Sequence, residues 1–140
     1  MIDNIAKLVE DTCRSENNYF GYGAWTHHIQ HVVKYSKLMA SKLNADKEIV
    51  EIAALLHDYA SVKSFELYEE HHLHGAVLAE EILKGYDYPQ DRIDQVKHCI
   101  ISHRGSKNVE RLSIEALCVA DADSMAHFDS ISSLFYLAFF

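Results

Sequence analysis

A chain of 140 residues, 49% hydrophobic and 24% charged, is long enough and apolar enough for one globular domain, and it excludes a disordered or fibrous class. A formal net charge of −8 removes any general attraction to nucleic-acid backbone or anionic membrane. It leaves room for a small anion held at a local positive centre such as a metal ion. Cys13, Cys99 and Cys118 are widely spaced and form no CxxC pair, so reduced thiols and a cytoplasmic setting are expected. No apolar run approaches the roughly 18 residues of a spanning helix, and MIDNIAKLVEDTC lacks a basic-then-apolar signal pattern.

One proline and five glycines favour long helices over tight turns. The apolar period is helical almost throughout. Ile5, Leu8 and Val9 mark a helix near 2–16, followed by a loop, SENNYFGYGAW. Thr26 is placed to cap a second helix near 27–43, which Asn44 ends. Asp46 caps a third near 47–60. Ser64 opens a fourth that runs to Gly85. Pro89 starts a fifth near 89–103, and Ser113 caps a sixth that reaches about His127. The ending ISSLFYLAFF is too apolar to trail in water. It is expected to be helical and to pack on the domain or form a homo-oligomer interface, unless more chain follows residue 140. The whole reads as a single all-α domain, 1–140, of six or seven helices.

Ten histidines cluster along the chain, and several sit on apolar helical stripes. His28 is in line with Val32, Tyr35 and Met39; His57 follows Val50, Ala53 and Ala54; His103 follows Val96, Cys99 and Ile100. Asp121 follows Ile114, Leu117 and Cys118, with Met125 next. A carboxylate directed into a core is costly unless it is paired or bound to a cation. One such group is ordinarily a core residue with a hydrogen-bond partner. Four on separate helices, with Asp58 beside His57, point to a shared cation, and mixed nitrogen and oxygen donors suit zinc, iron or manganese.

Five ordered segments, HHIQHVVKYSKLMA, AALLHDYA, HHLHGAVLAEEIL, VKHCIISHRGS and EALCVADADSM, resemble those of the HD superfamily over about residues 25–125. The resemblance implies a compact helical bundle that binds a divalent transition metal (iron, manganese, zinc, nickel or cobalt). It implies ligation by His28, preferred over His27 and His31, and by His57, Asp58 and Asp121. In two-metal members Asp58 bridges the ions and the second uses His103 with one of His71, His72 or His74; His71, four before Gly75, matches best. Many members follow His-Asp with a Gly-Lys turn, whereas this chain has Tyr59-Ala60-Ser61 and a lysine only at Lys63.

The activity so implied is phosphohydrolysis by metal-activated water, on a phosphomonoester, phosphodiester or nucleotide. Asp58 is expected to orient the water, and Arg104 and Lys63 to hold the phosphate. Tyr19, Phe20, Tyr22 and Trp25 are available to stack on a base or to cover the core. Two alternatives share these ligands: a di-iron oxygenase, and a non-catalytic module that senses nucleotide or metal.

Overall fold

The computed structural model describes residues 1–130. The expectation for ISSLFYLAFF falls on 131–140 and lies outside the described residues. Among the described residues seven α-helices run in the order α1 (Ile2–Arg14), α2 (Gln30–Leu43), α3 (Lys47–Leu56), α4 (Tyr59–Lys63), α5 (His71–Lys84), α6 (Gln90–Ile101) and α7 (Ile114–Asp129). No strand occurs among the described residues, so the all-α expectation holds.

The core is built round α3. Ile49, Val50, Ile52, Ala53, Ala54, Leu55 and Leu56 are all buried, so this helix is covered over most of its circumference, as a central helix must be. It touches α1, α2, α4, α6 and α7. Asp46 starts it by accepting hydrogen bonds from the Glu48 and Ile49 backbone N–H groups, both at 3.1 Å. The Arg92 guanidinium forks onto the same carboxylate and ties α6 to the start of α3. Ser113 caps α7 in the same way, accepting from the Ala116 N–H at 3.1 Å.

Three boundaries differ from expectation, and each difference shapes the site. The second helix does not start at Thr26. A π-helical turn, Ala24–Ile29, leads straight into α2, and the Gln30 N–H donates to the Trp25 carbonyl five residues back. The wider turn buries Trp25 and Ile29 in the core and still turns His28 to the site. The third helix stops at Leu56, because Asp58 leaves helical geometry at φ −108°, ψ 8° before α4 begins. The fourth is broken: Phe65–Leu67 form a short 3₁₀ turn, and α5 begins only at His71. At its far end Gly85 keeps a right-handed φ, and the left-handed residue that turns the chain is Asp87, φ 54°.

Candidate metal centre

The π turn, the break after α3 and α7 bring polar groups to one place. His28 comes from the π turn, His57 and Asp58 from the break, and Asp123 from α7. Nε2 of His28 lies 3.0 Å from Asp123 Oδ1 and 3.2 Å from Asp58 Oδ2. Nε2 of His57 lies 3.2 Å from Asp58 Oδ2 and 3.5 Å from Asp123 Oδ1. The other oxygen of Asp58 faces a second group, 3.1 Å from His71 Nε2 and 3.7 Å from His103 Nε2. Asp58 therefore joins two clusters, one oxygen to each.

The second cluster depends on a close helix contact. A Cβ built on Gly75, one turn after His71, would stand 3.3 Å from Ile100 Cγ2 and 3.7 Å from the His57 carbonyl oxygen. A hydrogen there lets α5 lie against α6 and against the end of α3. His71 is thereby held beside His103, the residue that follows the cap of α6.

The hydrogen bonds at the back of the rings fix which nitrogen faces the site. His57 Nδ1 lies 2.7 Å from the Ala54 carbonyl, His71 Nδ1 2.9 Å from that of Tyr68, and His103 Nδ1 2.5 Å from that of Ile100. A carbonyl only accepts, so each Nδ1 carries the proton. In a neutral ring the Nε2 is then a bare lone pair. Yet His71 and His103 present Nε2 to Nε2 at 3.2 Å, and His57 presents its own to His28 Nε2 at the same distance. Nitrogens so placed repel unless a proton on one of them or a metal ion lies between them. Backbone-fixed tautomers with converging Nε2 atoms and carboxylates are the donor set of a transition-metal site. The residues fit divalent metal in both groups, His28–His57–Asp58–Asp123 and Asp58–His71–His103.

The electrostatics agree. Burial opposes charge on His28, but hydrogen bonds to Asp123 and Asp58 outweigh it and lift the ring to about 9. His57 is likewise raised despite complete burial, chiefly by the Asp58 charge. Burial pushes Asp58 up, yet the His57 charge and the imidazole hydrogen bonds hold it well below the usual carboxylate range. Asp123 is held down in the same way by His28 and His57. The two carboxylates call for positive charge around them.

Not every expected residue arrives. Asp121 is solvent-exposed and stands outside both groups; Asp123, two residues on, takes the place expected for it. The reason lies in α7: of Ile114, Leu117, Cys118 and Met125 only Cys118 is buried, and the rest of the buried surface is the small set Ala116, Val119, Ala120, Ala122 and Ala126. Lys63 is exposed, with its Nζ over the Tyr59 ring, and is absent from the cavity wall. Among the neighbours considered for the same roles, His27 is exposed at the cavity lip, and His31 pairs with Asp129 at 3.1 Å. His72 is buried outside the cavity and His74 is exposed. His127 was not singled out for the site, yet it stacks on His28, ring centroids 4.6 Å apart, and lies 3.5 Å from Asp123. Its position one turn after Asp123 is the signal that marks it, once Asp123 is chosen.

The clusters form the floor of a cavity of about 600 Å³. Tyr19, Phe20 and Tyr68 line one wall, and Arg104, Gly105 and Ser106 another. Tyr68 stacks on His71 at 5.8 Å and packs against Phe20 at 5.3 Å. Tyr22 instead bonds Glu10, and Trp25 is in the core. Arg104 is half-buried and anchored by donating Nη1–H to the Glu69 carbonyl at 2.6 Å.

Comparison with known proteins accords with this geometry. The fold superimposes on the crystal structure of a predicted HD superfamily hydrolase from an uncultured Thermotogales bacterium with a TM-score of 0.75, at 23% identity, over 96% of this chain and 74% of that one. At that identity the likeness speaks for the fold alone. An uncharacterized protein of Clostridium beijerinckii is 26% identical over 87 residues, 59% of this chain, and the match spans only 55% of that relative's length. The HD domain family model matches residues 25–127, from the π turn to His127, and the chain belongs to that family.

Proposed function

We propose that the protein is a metal-dependent phosphohydrolase acting on a small phosphorylated substrate, a nucleotide by preference. The observation that carries this reading is the pair of imidazole sets with converging Nε2 atoms, joined through Asp58 on the floor of a cavity that also holds Arg104. His28, His57, Asp58 and Asp123 would hold one divalent ion; Asp58, His71 and His103 would hold a second. Bound there, such ions supply an activated water and offset charge on phosphoryl oxygens.

The chain's own residues do the rest. The carbonyls of Ala54, Tyr68 and Ile100 keep three imidazoles in the ligating tautomer, so no reorganisation is needed on binding. Asp58 orients groups on both sides of itself. Arg104, its Nη1 fixed by Glu69, turns its remaining N–H donors to the phosphate. Tyr19, Phe20 and Tyr68 offer flat faces for a ring carried by the leaving group. Three buried, unpaired cysteines support a reducing, cytoplasmic setting. Among the described residues no helix is long and apolar enough to cross a membrane.

Elemental analysis of protein purified without chelator, then a phosphoester panel, tests the proposal. Two divalent ions per chain and phosphate release, lost on chelation and restored by metal, are expected. Oxygen uptake by the iron form with no phosphate release would move the reading to a di-iron oxygenase, which uses the same six ligands. Tight nucleotide binding without turnover would move it to a sensing module.

A further inference from the structure

The cavity wall is poor in positive charge. Among the described residues that line it, Arg104 is the one lysine or arginine. Lys63 points elsewhere, and Lys107, the next cation along the Arg104 loop, is engaged by Glu70 at 3.2 Å. The ten residues that follow Ser130, ISSLFYLAFF, contain no charged side chain and add none. Arg104 is itself tied to the Glu69 carbonyl at 2.6 Å, and of the Phe65–Glu70 stretch only Tyr68 lines the cavity.

A site that takes a polyphosphate needs cationic donors strung along it, because each added phosphate brings further negative charge into low dielectric. Here the provision is for one group. Two divalent ions against Asp58 and Asp123 leave a net charge of two, which one phosphomonoester dianion neutralises. Arg104 adds a single guanidinium fork.

We infer that the cavity admits a single terminal phosphate, so that the substrate is a phosphomonoester, in nucleotide chemistry a nucleoside monophosphate, and nucleoside di- and triphosphates are rejected. This rests on the phosphohydrolase reading. Tyr68, which lines the cavity, then meets the ring.

The test uses the metal-loaded protein in two arms. In the first, phosphate release is followed from adenosine mono-, di- and triphosphate, with p-nitrophenyl phosphate as an unselective substrate. The monophosphate should exceed the triphosphate in kcat/KM by at least about tenfold. Equal or preferred use of the triphosphate overturns the inference while leaving the phosphohydrolase reading standing. No release from any of the four, with metal content intact, overturns that reading and the inference with it. In the second arm, calorimetry follows inorganic phosphate binding without turnover. One phosphate per chain is expected, weakened on the order of tenfold to a hundredfold in Arg104→Ala and partly rescued in Arg104→Lys. Binding of two or more phosphates per chain, or undiminished binding in Arg104→Ala, overturns the inference.

Discussion

The two faces of α7 carry similar amounts of apolar sequence and do opposite things. The inner face is Ala116, Val119, Ala120, Ala122 and Ala126, all buried, and it packs closely on α2. The outer face is Ile114, Leu117, Met125 and Phe128, the last three 46%, 42% and 77% exposed. Small side chains let two helix axes approach, so the face that builds the core is the less bulky one. Asp123 belongs to the small face and Asp121 to the large one. Size of side chain, taken as a mark of burial, points to Asp121, which the structure leaves in solvent.

That difference gives the largest expected effect. Asp123→Ala should strip the first metal group and lower kcat/KM by at least about a hundredfold, since even groups that merely support a ligand commonly cost tenfold to a hundredfold. Asp121→Ala should leave metal content and activity at the parent's level. Elemental analysis beside a phosphate-release assay reads both variants, and the reverse result would place Asp121 in the site after all.

The second effect separates the two clusters. His103→Ala should remove about half the metal, because only the group shared by Asp58 and His71 loses a donor. His57→Ala or Asp58→Ala should remove nearly all of it. If His103→Ala retains full metal and full activity, the centre holds one ion, and the facing Nε2 atoms of His71 and His103 need another explanation.

Much of this is legible in the sequence. Helix caps at Asp46 and Ser113, and the end of α2 at Asn44, follow from local chemistry that tertiary structure did not override. His28, His57, Asp58, His71 and His103 were placed by periodicity and by the order of the family's segments, and the structure gathers all five. What stayed hidden depends on packing between elements. The break at His57–Asp58 is invisible in EIVEIAALLHDYA, which reads as one uninterrupted helix. The π turn has no composition of its own and arises where Trp25 and Ile29 are buried while His28 faces the site. Lys63 sits close to Asp58 in sequence, but α4 directs it to solvent. The choice between Asp121 and Asp123 required knowing how closely α7 lies on α2.

A third and smaller effect probes that closeness directly. Ala126 is completely buried and packs with Val32, Ala54 and Ala122. Ala126→Leu adds three carbons where no room exists, and overpacking of this kind costs about 1–3 kcal/mol. Because Asp123 lies one turn before it, the variant should also lose metal at the first group more than at the second. Thermal unfolding in chelator isolates the packing cost, and metal titration reads the displacement. If stability and metal binding both match the parent, α7 stands further from α2 than its small face implies.

The smallest effect is expected on the outer face, where its smallness is the point. Phe128→Ser and Leu117→Ser replace exposed apolar groups by polar ones and touch no side chain of either cluster. Substitutions at such surface positions usually change stability by no more than about 0.5 kcal/mol. Unfolding in denaturant and elution in size-exclusion chromatography should therefore both match the parent, and metal content should be unchanged. A loss of 2 kcal/mol or more, or a change in elution volume, would mean that the outer face is covered in solution, by a second copy or by other chain. Asp121 would then lie in an interface. Its place among Ile114, Leu117 and Met125 would reflect a second buried surface on α7, and the contrast between the two faces would become one between two kinds of contact.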